Sequence, residues 1–132
     1  MGRKGMLPAA VILIVLAAAV MLSRGNMPYR DWNPSDIVSA AVQLSPPGET
    51  VPIEETEELV SLLREVVLYR EDNSYPEYTG QAVTFTLTMA DGTREEITAY
   101  TPFVIINGTG YQAKYEPCEQ LNRYANQLLN AG

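Results

Sequence analysis

The chain contains no histidine and a single cysteine among its 132 residues. The first absence removes the commonest general base, the commonest zinc ligand and every Ser-His or Cys-His nucleophile pair. The second excludes an intramolecular disulfide, so the fold has to rest on its core. Basic residues are scarce as well: nine Lys and Arg face sixteen Asp and Glu, a formal net charge of −7. Arg3, Lys4 and Arg24 account for three of those bases, so from Asn26 onward sixteen acids meet six bases, a balance of −10. A surface of that sign repels phosphate backbones and anionic headgroups. No nucleic-acid partner is expected, whereas a cationic partner is compatible with the charge.

Other chemistries lack their motifs. Gly108 and Gly110 have no helix close behind them to supply phosphate-binding amides. Asp72, Asn73, Ser74 and Glu77 are oxygen donors, but without the alternating spacing of a calcium loop. Glu54, Glu55, Glu57 and Glu58 crowd the start of an expected helix, where the macrodipole favours carboxylates. Glycoside hydrolysis needs two carboxylates converging in a cleft, and no motif singles out a pair. No catalytic residue, cofactor or metal is assigned, and the chain is read as a non-enzyme.

The feature the chain does have is an uncharged run of sixteen residues, 7–22, behind Arg3 and Lys4. As a helix it measures roughly 24 Å, and Gly5, Met6 and Ser23 extend it toward the roughly 30 Å of a bilayer core. A cleaved signal peptide has the same plan, but Ala17, Ala18 and Ala19 are followed by Val20, Met21 and Leu22, leaving only Ser23 and Gly25 for a cleavage site. An uncleaved signal-anchor at 6–23 is the favoured reading, with residues 1–5 as a cytoplasmic basic leader. Residues 24–35, rich in Gly, Asn and Pro, read as a linker, and Tyr29 and Trp32 fall where headgroup-level aromatics are favoured. Residues 36–132 form the domain outside the cytoplasm, large enough for one core.

Within that domain Val38, Ala40, Val42 and Leu44 alternate with small or polar residues, the pattern of a half-buried strand. Pro46, Pro47 and Gly48 turn the chain, and Val51 and Ile53 form a short edge partner beside Pro52. Leu59, Leu62, Leu63, Val66 and Val67 fall at helical spacing, which predicts a helix over 55–69. Residues 81–89 alternate most clearly, with Val83, Phe85, Leu87 and Met89 on one side and Thr84, Thr86 and Thr88 on the other. A two-residue turn at Asp91-Gly92 would set Arg94 and Glu96 opposite Met89 and Leu87. A three-residue loop, Ala90-Asp91-Gly92, instead pairs Phe85 with Ile97 and Val83 with Ala99, and this register is expected. Residues 103–106 and 111–115 form a second hairpin around 107–110, where Asn107-Gly108-Thr109 also spells a glycosylation acceptor. A last helix over 117–130 carries Cys118, Leu121, Ala125 and Leu128 on one stripe, which makes Cys118 a core thiol.

The expected fold is therefore α+β: an N-terminal transmembrane helix, then a mostly antiparallel sheet in the order β-β-α-β-β-β-β-α, with two helices on one face. Its one long irregular stretch is 71–80, and such loops carry function more often than strands do. Tyr75 and Tyr78 are either an aromatic contact surface or a cover for the sheet end beneath them. Tyr75, Pro76, Glu77 and Tyr78, with the threonine face Thr84, Thr86 and Thr88, make up the candidate interaction surface.

This order of elements, with an acidic entry to the first helix, Asp91-Gly92 between central strands and a closing hairpin leading into a terminal helix, resembles small exported domains of unknown function in Gram-positive bacteria. Those are lipoproteins or single-span anchored proteins, and the resemblance, a matter of pattern over residues 37–129, implies location and fold. The chain departs from the lipoprotein members in having no cysteine directly behind its apolar run. The expected role is binding at the outer face of the cell membrane, with an envelope protein as partner. Two alternatives remain. Ala9, Ala10, Ala17, Ala18 and Ala19 would let the anchor pack in a larger membrane complex as an accessory subunit, and a cleaved leader would make the chain a secreted inhibitor or hydrolase.

Overall fold

A computed structural model of the chain describes residues 25–131. The expected leader and transmembrane segment lie outside these residues. Among the described residues no helix is long and apolar enough to cross a membrane. In chain order the elements are β1 (Ile37–Ser45), β2 (Glu49–Ile53), α1 (Glu57–Leu63), β3 (Leu68–Glu71), β4 (Ala82–Met89), β5 (Arg94–Tyr100), β6 (Phe103–Ile106), β7 (Thr109–Ala113) and α2 (Tyr115–Ala131). Single turns of 3₁₀ helix occupy Pro34–Asp36 and Tyr75–Glu77. The seven strands form one antiparallel sheet in the order β2-β1-β4-β5-β6-β7-β3, so the architecture is α+β.

The central hairpin has the register its sequence predicts. Val83 pairs with Ala99 and Phe85 with Ile97. Met89 N donates to Thr93 O at 2.8 Å, and Gly92, at φ +89°, takes the left-handed position that closes a three-residue loop. Val83, Phe85, Leu87 and Ile97 are fully buried on one face, each worth roughly 1.5–3 kcal/mol of burial. The same register sets Glu95 opposite Leu87, half-buried, so the core face is not free of charge. Asn107 Nδ2 donates to its carboxylate at 3.1 Å.

Four expectations are corrected. The helix over 55–69 stops at Leu63, where Glu65 N donates to Leu62 O and Val66 N to Leu63 O in tight i→i−3 bonds. The β-branched pair Val66-Val67 then leads into β3, a seventh strand on the edge beside β7. In β1 a bulge between Ile37 and Ser39 turns Ile37 into the core and leaves Val38 69% exposed, off the face its spacing assigned to it. The second hairpin turns on two residues, not on 107–110: Asn107 at φ +49° and Gly108 at φ +91° make a type I′ turn, and Ile106 pairs with Thr109.

The fourth correction concerns the linker expected over 24–35, whose described residues, 25–35, do not hang free. Tyr29 is 3% exposed in the main core and Trp32 packs on it, ring centroids 4.5 Å apart. Asn26 forms a bridge with Leu68 on the outer edge of β3, and Arg64 Nε donates to Trp32 O at 2.8 Å. Helix α2 lies against β1, β2, β4 and β5, with α1 alongside it, and Leu59, Val60, Leu63, Cys118, Leu121 and Ala125 join the strands in one core. Tyr29, buried beside the Glu95 carboxylate, fills the neighbouring part of that core. Tyr29 and Trp32 therefore belong to the folded domain and not to a headgroup-level anchor.

Candidate functional site

With both helices in the core on one side, the other face of the sheet is left without a helix. Register fixes what it carries. One row of directly paired residues runs Thr50, Gln43, Thr84, Thr98, Ile105 and Gly110, from β2 across to β7. The adjacent row brings Pro52, Ala41, Thr86 and Glu96 together, and the next sets Ser39 and Arg94 on either side of Thr88. Thr84 and Thr98 hydroxyls hydrogen bond at 2.9 Å. The result is a surface centred on short hydroxyl side chains, with Gln43, Glu96 and Arg94 around them, in which Thr84, Thr86 and Thr88 are each half-buried between their neighbours.

The loop after β3 folds over the far end of this same face. Asp72 N donates to Gly110 O and Gly110 N to Asn73 Oδ1, both at 2.8 Å. Gln112 Nε2 donates to Asp72 Oδ2 at 2.8 Å, and Ser74 N to Asp72 Oδ1 at 3.0 Å. Hydrogen bonds from Ser74 and then Gln112 hold the Asp72 carboxyl below the ordinary aspartate range. Gly110 is required here, since a Cβ on it would lie 2.5 Å from Asp72 O and 2.7 Å from the Tyr75 ring. Phe103, 1% exposed, lies outside the main core. Tyr75 and Tyr78 pack edge-on against it, with centroids at 6.3 and 4.9 Å, and Tyr100 OH donates to Tyr78 O.

All seven residues of the candidate surface therefore share one side of the sheet, a juxtaposition that the Thr84-to-Gly110 row explains. The tyrosines combine the two roles weighed for them. Their rings cover Phe103, yet Tyr78 is still 50% exposed, and Pro76 and Glu77 are exposed beside it. Alternation alone could not show that Gln43, Glu96, Arg94 and Thr98 belong to the same surface, because cross-strand register puts them there. The Asn107 side chain is already engaged: its Oδ1 accepts from Glu96 N at 2.9 Å.

At the Gly80 end of the loop lies a depression of about 220 Å³, lined by Gln81, Tyr100, Thr101, Glu119 and Asn122. It holds one carboxylate, Glu119, which accepts from Thr101 Oγ1 at 2.8 Å. Among the described residues no group of three or more metal-ligating side chains converges. Cys118 lies in the core as its stripe implies, with Sγ 3.8 Å from Phe103 O, and burial pushes its thiol up to about 12. No protein-family model, curated protein or solved structure matches this chain.

Proposed function

We propose that the chain is a membrane-tethered interaction module, held by a single span at 6–23 with its amino terminus in the cytoplasm and its α+β domain outside. The domain binds a protein of the cell envelope through the face that carries Thr84, Thr86 and Thr88 and through the Tyr75-Pro76-Glu77-Tyr78 turn. The observation that carries this reading is the single register row joining the threonine strand to the loop, which makes one continuous surface from two separate sequence features. Tyrosine supplies contact area at small entropic cost, and short hydroxyl side chains lose little freedom when covered. A tether adds to this by raising the local concentration of the domain at its target.

The test uses variants that leave Phe103 covered. Thr86→Arg places a long charged side chain in the middle of the face without touching the core. With melting temperature unchanged, it is expected to reduce crosslinking to envelope proteins in intact cells by about tenfold, equivalent to roughly 1.4 kcal/mol. Tyr78→Ala is expected to act in the same direction, with a small loss of stability from the bared Phe103. Unchanged crosslinking in both variants would remove this face from consideration.

A further inference from the structure

Residues 26–32 change what a tether at 6–23 would do to the domain. Asn26 N donates to Leu68 O and Leu68 N to Asn26 O, both at 2.7 Å, so the chain is fixed to the outer edge of β3 as soon as the domain begins. Gly25 lies against Val67 and Tyr69 at φ +90°, a position no Cβ could share. Only Ser23, Arg24 and Gly25 separate Leu22, the last residue of the apolar run, from Asn26. Four residue steps reach at most about 14 Å even when fully extended, and the headgroup layer is itself about 5–7 Å deep.

We infer that the β3 edge of the domain rests on the lipid surface, with Tyr69, Met27, Arg30 and Arg70 among the headgroups; this rests on the membrane-anchored reading above. The chemistry of that edge fits the occupant. Met27 and Tyr69 are among the few large apolar side chains left exposed, at 36% and 38%, and tyrosine is favoured at the headgroup level. Arg30 and Arg70 are both exposed and can meet lipid phosphates. On β3 itself Arg70 is offset by Glu71, a balance of zero in a domain whose overall balance is −10. An acidic domain held at an anionic surface turns its least acidic edge toward it. The edge strand, whose unpaired groups would otherwise invite another chain, is at the same time covered by Asn26 and by lipid.

The test is a depth measurement on the full chain in vesicles of phosphatidylcholine and phosphatidylglycerol, which contain no other protein. In a Cys118→Ala background, a fluorophore is attached at Tyr69→Cys, at Met27→Cys and at Thr50→Cys. Thr50 lies on β2, six strand spacings across the sheet from β3, about 29 Å away. Nitroxide lipids labelled in the headgroup are expected to quench positions 69 and 27 about twofold or more over position 50, given the shallow headgroup layer. Two labelled positions guard against a single substitution that disturbs the edge. Equal quenching at 69, 27 and 50 in a chain that floats with the vesicles would overturn the docked edge while leaving the anchor intact. A chain that does not float with the vesicles would overturn the anchor, and the docked edge with it.

Discussion

Tyr29→Ala lowers the stability of the domain by about 3–5 kcal/mol, the usual cost of removing a buried ring, whereas Tyr29→Phe leaves it unchanged or raises it. The two substitutions differ in sign because the ring and the hydroxyl contribute oppositely. The ring is 3% exposed, packs at 4.5 Å on Trp32 and closes part of the core face of the sheet. The hydroxyl is buried without a hydrogen-bond partner among the described residues, which costs about 1–3 kcal/mol. Burial first, then the nearby Glu95 carboxylate, raises its pKa well above the ordinary tyrosine value. A domain of this size has only about 5–15 kcal/mol to lose. Urea midpoints at pH 7 for the two variants and the parent chain check both signs. A Tyr29→Ala midpoint close to that of the parent chain would return residues 24–35 to the status of a linker.

The second large effect is a loss of stability on the alkaline side. The Cys118 thiol ionises near 9 when free in the unfolded chain and is pushed up to about 12 in the fold by burial, with Glu119 adding to the shift. The folded state therefore keeps a proton that the unfolded state releases. This contribution is fully present below pH 9 and is lost as pH rises from 9 to 12. Three pH units at 1.36 kcal/mol each correspond to about 4 kcal/mol from this one group. Tyr124, 4% exposed against Phe85, is raised to about 12 by burial and by Glu58 and works in the same direction above pH 10. Urea midpoints measured from pH 8 to pH 11 are expected to fall steadily. Cys118→Ala is expected to remove the fall between pH 9 and 10, below the range in which the tyrosines act, while lowering the pH 8 value only modestly. A parent chain whose midpoint is level to pH 11 would contradict the buried thiol.

Strong local signals in the sequence matched the structure, and residues that suited two periods did not. Alternation through residues 81–89 and a turn residue able to take positive φ specify the β4–β5 register without help from the rest of the chain, so Phe85 meets Ile97 as the spacing implies. Between Leu59 and Tyr69 two periods overlap. Leu59, Leu62, Leu63 and Val66 suit a helix, but Val66 and Leu68 are also the inward positions of an alternating strand. Pairing with β7 and Asn26 decides between them, and those partners lie about forty residues away in either direction along the chain. Tyr29 and Trp32 are too sparse to show a period at all, and only the bare part of the core face gives them a place. Of the candidate site, the threonine face was legible from alternation. The folding of residues 72–78 onto Phe103 was not, because it depends on backbone bonds to Gly110.

The most direct test of the membrane-tethered role is made on intact cells expressing the full chain with a C-terminal epitope. The expected result is an epitope that stays with the membrane pellet through alkaline carbonate extraction and is removed by protease added outside the cell. Recovery of the uncleaved chain in the soluble cytoplasm, or a membrane-bound epitope protected until the cells are opened, would contradict it.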